Sequence, residues 1–214
     1  MENNILDGIA DKYGTDKKIL CHGYTRAYEK LFLPIRHDVK NIIEAGIFDG
    51  ASLRMWRDYF PNATVHGLDI EQKSVDCVNS EERIKSTLIS ACNASYWDSL
   101  DFKADIIIDD GSHVVEEQMV MIRLAWNSLK PGGYYVIEDT HSSFLDVYKQ
   151  DKSRINGYYS ELQERILKQQ AYDTLQGDWY ITRDKFKHQM DKISYETFGI
   201  YSFTSLIIFE KTVK

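Results

Sequence analysis

With 214 residues, 43% of them hydrophobic and 13% aromatic, the chain carries enough apolar material for one full hydrophobic core, which excludes a disordered tail and a disulfide-stapled miniprotein. Its 33 acids against 26 bases give a formal net charge of -7, spread evenly over the two halves, and this argues against a duplex nucleic-acid partner gripped through its phosphates. Cys21, Cys77 and Cys92 are too far apart for a zinc or redox pair, no apolar run approaches the roughly 18 residues of a membrane span, and Met1-Glu-Asn-Asn does not read as a signal sequence, so a soluble cytoplasmic protein with reduced thiols is expected.

The chain opens with two helical stretches, Asn4 to Tyr13 and Tyr24 to Leu33, closed by Gly14 and Pro34; residues 1–38 read as a helical flank or lid. Five short apolar runs follow: Asn41 to Ala45, Thr64 to Asp69, Ser86 to Ala91, Ala104 to Asp109 and Tyr134 to Glu138. Amphipathic segments lie between them, at Ala51 to Phe60, Ser80 to Ile84, Tyr96 to Leu100 and Val114 to Leu129, and Lys130-Pro-Gly-Gly stops the last of these. This alternation predicts an α/β fold with a Rossmann-like, doubly wound, mostly parallel sheet. A polar stretch, 141–192, has a helical pattern at Tyr158 to Leu175 and reads as an insertion or lid within a single domain spanning 1–214. Two β-rich segments, Ile193 to Phe198 and Phe203 to Glu210, are expected to pair as an antiparallel C-terminal hairpin across Gly199-Ile-Tyr-Ser.

Ligands of such sheets sit beyond the carboxyl ends of the strands, so the loops there carry the functional signal. The first is Glu44-Ala-Gly46-Ile-Phe-Asp-Gly50-Ala-Ser52, which is not G-x-G-x-x-G, because Ile47 and Phe48 stand where a dinucleotide fingerprint has its second glycine; alone it is either a cofactor turn or merely a tight connection. Asp69 ends the second strand at roughly the twenty-residue spacing of a ribose-binding acid, and capping the next helix is its plainer use. The densest cluster is Asp109-Asp110-Gly-Ser-His113 with Glu138-Asp139. Without a cation these acids would repel and raise one another's pKa; a hard divalent ion, magnesium best, would remove that repulsion, and solvated helix caps are the alternative. His113 is placed to take a proton near neutral pH, with His141 as its rival, while His22, His37, His66 and His188 have no comparable company.

These blocks resemble the class I S-adenosylmethionine-dependent O-methyltransferases that need a metal, and more closely the macrolide-sugar O-methyltransferases of the macrocin and mycinamicin type. The resemblance rests on Gly14-Thr-Asp-Lys17, Tyr24-x-x-x-Tyr28-Glu, Gly50-Ala-Ser-Leu-Arg-Met-Trp56, Gly67-Leu-Asp-Ile70, Ile108-Asp-Asp-Gly-Ser-His113, Pro131-Gly-Gly and Ile137-Glu-Asp139, and weakens beyond His141. It implies the class I methyltransferase fold. It implies that Glu44, Gly46 and Ser52 hold the methionine end of S-adenosylmethionine and Asp69 the ribose; the chain departs from the family in having Cys92-Asn93-Ala94 where an acid often lies near the adenine, and Asn93 is expected to bond the adenine amine there. It also implies that Asp110, which lies beside the cofactor too, binds magnesium with Glu138 and Asp139, and that His113 is the general base. The acceptor would be a sugar hydroxyl on a small molecule or glycan, with the aromatics of 141–192 forming its wall, and a homo-oligomer is expected. A cephalosporin-hydroxylase-like activity, methyl transfer to an amine or phenol, and a catalytically silent nucleotide-binding subunit are the competing readings. Nothing in the sequence assigns a role to Asp109.

Overall fold

The protein is described by a computed structural model covering residues 4–140, 142, 179–182, 197–203 and 205–213; for 179–182 and 197–203 the backbone alone is considered. The helices are α1 (Ile5–Tyr13), α2 (Tyr24–Phe32), α3 (Ala51–Tyr59), α4 (Gln72–Asp76), α5 (Ala94–Ser99) and α6 (Val115–Ala125). The strands are β1 (Asn41–Ala45), β2 (Thr64–Asp69), β3 (Ile84–Leu88), β4 (Ala104–Asp109), β5 (Leu129–Ile137), β6 (Trp179–Thr182), β7 (Thr197–Phe203) and β8 (Leu206–Lys211). They form one sheet in the order β3-β2-β1-β4-β5-β8-β7-β6, in which β1 to β5 run parallel and β6 to β8 antiparallel. The strand order reverses between β1 and β4, which is the switch point where a crevice opens at the carboxyl ends.

Alternation along the strands splits the core into two layers. On one face Ile42, Val65, Ile106, Ile108, Val136 and Ile208 pack against Leu6, Tyr28, Phe32, Leu53 and Trp56. On the other, Ile43, Leu68, Ile107, Tyr135, Ile137 and Phe209 pack against Trp97, Ile122 and Trp126. The first layer is held by aromatic contacts, with Tyr28 stacked on Phe32 at 5.4 Å and edge-on to Trp56 at 5.1 Å. Helix α1 begins where the Asn4 side chain accepts from the Asp7 N–H and ends at Gly14 in the left-handed conformation, as a cap should.

Several elements differ from the sequence reading: β3 spans Ile84–Leu88 instead of Ser86 to Ala91, and a further antiparallel strand, β6 (Trp179–Thr182), lies inside the stretch read as an insertion or lid. The helix expected at Ser80 to Ile84 is found earlier, as α4, because Asp69 and Glu71 close the turn ahead of it. Pro131-Gly-Gly lies inside β5, where the register of β4 and β5 shifts between Ala104 and Ile106 and a Cβ at Gly133 would stand 2.7 Å from the Asp105 carbonyl oxygen; the glycine permits the close pass of two backbones. The C-terminal hairpin closes between Phe203 and Leu206, which pair with each other, with Ser205 at φ 62°, and Gly199 to Ser202 lie within β7. The pattern at Tyr158 to Leu175 lies outside the described residues. Among the described residues no helix is long and apolar enough to cross a membrane.

Candidate active site

The carboxyl ends of β1, β2, β4 and β5 frame two cavities of about 300 and 440 Å³ that share Gly46, Asp69 and Gly111. The smaller is lined by Leu68, Ile70, Ile89, Ala91 and Met121 with a few polar groups, among them Asp109, Ser112 and Glu117. The larger is polar, with Lys17, Ser52, Asp110, His113 and Asp139 on its walls. Their combined size and their apolar and polar halves suit an amphiphilic small ligand lying across the switch point.

Gly46 is the waist between them. It has φ 92°, and a Cβ there would lie 2.0 Å from the Asp110 carbonyl oxygen, so the β1 and β4 loops cross at a distance only glycine allows. Asp69 fixes the same turn: Oδ2 accepts from the N–H of Ile47 at 2.8 Å and of Phe48 at 3.2 Å, and Oδ1 accepts from Glu71 at 2.9 Å. Asp69 therefore shapes the loop while still facing both cavities.

Beyond β4 and β5 the acids form two groups that share Asp110. Asp110, His113 and Asp139 each offer one ligand atom within 4.8 Å of the others. His113 (φ 57°) and Asp139 (φ 50°) both take left-handed backbone, which costs of the order of 1 kcal/mol or more for a side-chain-bearing residue and turns the two side chains toward each other, with His113 Nε2 3.7 Å from Asp139 Oδ2. The Ser142 hydroxyl donates to the His113 carbonyl at 2.8 Å and ties the two loops together. The two carboxylates facing a polar cavity offer oxygen donors that fit a hard divalent ion, and the imidazole stands beside them.

The second group is buried. Lys17, 2% exposed at its side chain, donates to Asp110 Oδ2 at 2.5 Å and to Glu138 Oε2 at 2.6 Å, and its Nζ lies 3.8 Å from Glu44 Oε1. The Tyr28 hydroxyl donates to the other oxygen of Glu138. Burial alone would lower the Lys17 pKa, but Asp110, Glu138 and Glu44 outweigh it and hold the ammonium protonated, well above 10.5. Burial lifts Glu44 to about 8, moderated by Lys17, and lifts Glu138 above the carboxylate range despite Lys17.

Gly46, Ser52, Asp69, Asp110, His113 and Asp139 thus all reach the cavities, and Glu44 lies fully buried beneath Lys17. Glu138 is held by the Tyr28 hydroxyl and by Lys17, whose ammonium bridges it to Asp110, and it is not among the residues that line the two cavities. Asn93 is not among the lining residues: its side-chain oxygen caps α5 by accepting from the Ser95 N–H, while Ser90, Ala91 and Cys92 border the smaller cavity instead. His141 lies outside the described residues. The sequence reading gave no role to Lys17, Tyr24 or Tyr28, although Gly14-Thr-Asp-Lys17 and the Tyr24-x-x-x-Tyr28 spacing, one helical turn on a single face, were visible in it. It also passed over His22, whose Nδ1 lies 3.6 Å from Asp139 Oδ1, the oxygen that accepts from the Tyr24 hydroxyl at 2.7 Å.

Asp109 is buried to 4% exposure in the smaller cavity, and burial pushes its carboxyl up to about 7, offset in part by the Gly111 N–H and the Tyr135 hydroxyl. A folded pKa raised above the unfolded value near 4 means that the native state binds the extra proton, so stability is greatest below about pH 4 for this group and is lost as pH climbs through 7. Asp109→Asn is expected to flatten the fall in stability between about pH 4 and 7, read by denaturant unfolding across that range; an unchanged slope would assign the titration elsewhere.

No family profile matches the chain. The 8-demethyl-8-alpha-L-rhamnosyl tetracenomycin-C 2'-O-methyltransferase of Streptomyces olivaceus is 36% identical over 154 residues, which cover 67% of this chain and 40% of that protein. The mycinamicin VI 2''-O-methyltransferase of Micromonospora griseorubida is 32% identical over 150 residues, 65% of this chain and 37% of that one. The methyltransferase MycE of the mycinamycin pathway, solved with Mg, SAH and mycinamycin VI, superposes with a TM-score of 0.76 at 25% identity over 97% of this chain and 54% of its own. This chain is a homologue of the sugar O-methyltransferases. It carries the class I methyltransferase fold, with which its parallel sheet and antiparallel closing strands agree. The homologue spans about two-fifths of the length of the curated relatives it matches.

Proposed function

We propose that the chain transfers a methyl group from S-adenosylmethionine to a hydroxyl of a sugar or glycoconjugate, with a divalent ion, magnesium best, held at Asp110 and Asp139. The observation that carries this reading is the meeting of Asp110, His113 and Asp139 in a polar cavity that joins an apolar one at Gly46. Support comes from homologues that are sugar O-methyltransferases. When bound, the donor supplies an electrophilic methyl carbon and the ion makes a hydroxyl oxygen it touches more acidic.

The remaining work falls to the chain. The apolar half of the crevice takes the adenosine and excludes water from it, while Gly46 and Ser52 border the methionine end and Asp69 faces the ribose. His113 accepts the hydroxyl proton at Nε2, where Asp139 at 3.7 Å stabilises the imidazolium that forms. With the donor bound, the hydroxyl oxygen would take the methyl carbon as the carbon–sulfur bond broke, and the products would be a methyl ether and S-adenosylhomocysteine. Holding oxygen, carbon and sulfur in line is a positioning effect worth several kcal/mol. We assign the acceptor-side wall to 141–192, mostly outside the described residues, and expect a cytoplasmic enzyme, homo-oligomeric and without a nucleic-acid partner.

Calorimetry with S-adenosylhomocysteine, with and without Mg²⁺, followed by labelled methyl transfer to a panel of rhamnosides and other glycosides, tests the reading. Excess chelator is expected to abolish turnover, and added Mg²⁺ to restore it. Binding of neither cofactor nor ion would end the proposal, and turnover that survives chelation would remove the metal from it.

A further inference from the structure

The position of Lys17 raises a question that the methyl-transfer reading leaves open. The loop that carries it, between α1 and α2, is held by backbone bonds from Thr15 N–H to the Ala10 carbonyl and from Thr25 N–H to the Lys17 carbonyl, so the residue is anchored on both sides. Its ammonium is 2% exposed and touches the oxygens of Asp110 and Glu138, which belong to loops at the ends of two neighbouring strands. A buried lysine offers little net stability, because desolvating it costs several kcal/mol that its partners only return. Here it also stands among carboxylates at the edge of a donor set suited to a dication. A lysine in that place repels the ion and competes with it for the same oxygens.

We propose that Lys17 is a positioning residue that acts as a built-in rival of the divalent ion, bracing Asp110 and Glu138 together and yielding their oxygens when the ion enters. This rests on the metal-dependent reading above. Lys17 keeps the acids from splaying apart and keeps the loop after α1 on the sheet, and in return it weakens the site's hold on metal. The ion then exchanges readily, and Glu138, turned inward to Lys17, becomes available only as the ammonium withdraws. A lysine with a purely structural role would behave differently, since its removal would loosen the site and weaken metal binding.

The test uses the full chain as wild type, Lys17→Met and Lys17→Arg. Each is titrated with Mn²⁺, followed by the electron paramagnetic resonance of the free ion, and thermal unfolding is recorded in parallel with and without Mn²⁺. Lys17→Met is expected to bind Mn²⁺ about tenfold more tightly than wild type, because a like charge has been taken from beside the ligand oxygens. Lys17→Arg, which keeps the charge, is expected to bind no more tightly than wild type. Without the ion Lys17→Met is expected to melt well below wild type, and Mn²⁺ is expected to close that gap; if the variant is unfolded alone, Mn²⁺ is expected to fold it. Equal or weaker Mn²⁺ binding by folded Lys17→Met, or an unfolded variant that Mn²⁺ does not rescue, overturns the proposal. A wild type that binds neither Mn²⁺ nor S-adenosylhomocysteine would overturn the functional reading with it, whereas a wild type that binds both leaves that reading standing whatever the variants do.

Discussion

His113→Ala is expected to lower methyl transfer by about 10²- to 10⁴-fold while leaving S-adenosylhomocysteine binding within a few-fold of wild type, the range typical for removing a positioned general base. The separation follows from where the side chain sits. Nε2 faces Asp139 in the polar cavity, and the smaller apolar cavity, which would take the adenosine, has Ser112 on its wall but not His113. The Ser142 hydroxyl bonds to the carbonyl of residue 113, not to its side chain, so that tie between the loops survives the substitution. His113→Asn, a residue that tolerates left-handed backbone well, should fold at least as well and be equally inactive. The comparison is made by steady-state kinetics on the best acceptor together with calorimetry. Turnover within about threefold of wild type, or a loss confined to cofactor affinity, would take the proton-accepting role away from this histidine.

Gly46→Ala is expected to destabilise the fold by about 3 kcal/mol, lowering the melting temperature by roughly 6–12 °C, and to remove cofactor binding along with it. Two causes act together. The backbone has φ 92°, outside the conformations a side-chain-bearing residue readily adopts, and the new methyl group would press on the Asp110 carbonyl oxygen at 2.0 Å and its carbon at 2.8 Å. Neither atom is the free end of a flexible side chain, so relief requires the β1 and β4 loops to part, and with them the waist shared by the two cavities. Gly8→Ala supplies the contrast: exposed in α1, with nothing within 4 Å of an added Cβ, it is expected to stabilise the protein by about 0.5–1 kcal/mol. Thermal unfolding of the two variants side by side checks both, and a Gly46→Ala protein that melts within about 2 °C of wild type would mean that the crossing opens at little cost.

Much of this was legible along the chain because it depends on short-range pattern. Strands β1, β2 and β4 lie where their apolar runs predict them, since a parallel strand covered on both faces carries a largely apolar run with few polar residues. Asp110, His113 and Asp139 were marked because every loop at a strand's carboxyl end opens toward the same crevice. Where residues serve two competing local uses, the reading slipped. Pro131-Gly-Gly looks like a stop signal but is a close pass inside β5, and the side-chain oxygen of Asn93, read as an adenine contact, caps α5.

The sequence by itself determined the fold class and the acids that gather at the sheet's edge, because apolar period and loop composition are properties of neighbouring residues. Only the tertiary structure decided how those acids divide. Lys17 stands 93 residues from Asp110 and 121 from Glu138 along the chain, and no local pattern encodes contacts over such a span. Packing α1 and α2 on the sheet buries the ammonium and the Tyr28 hydroxyl against Glu138, and that burial turns Glu138 inward while Asp110 and Asp139 stay facing the cavity with His113.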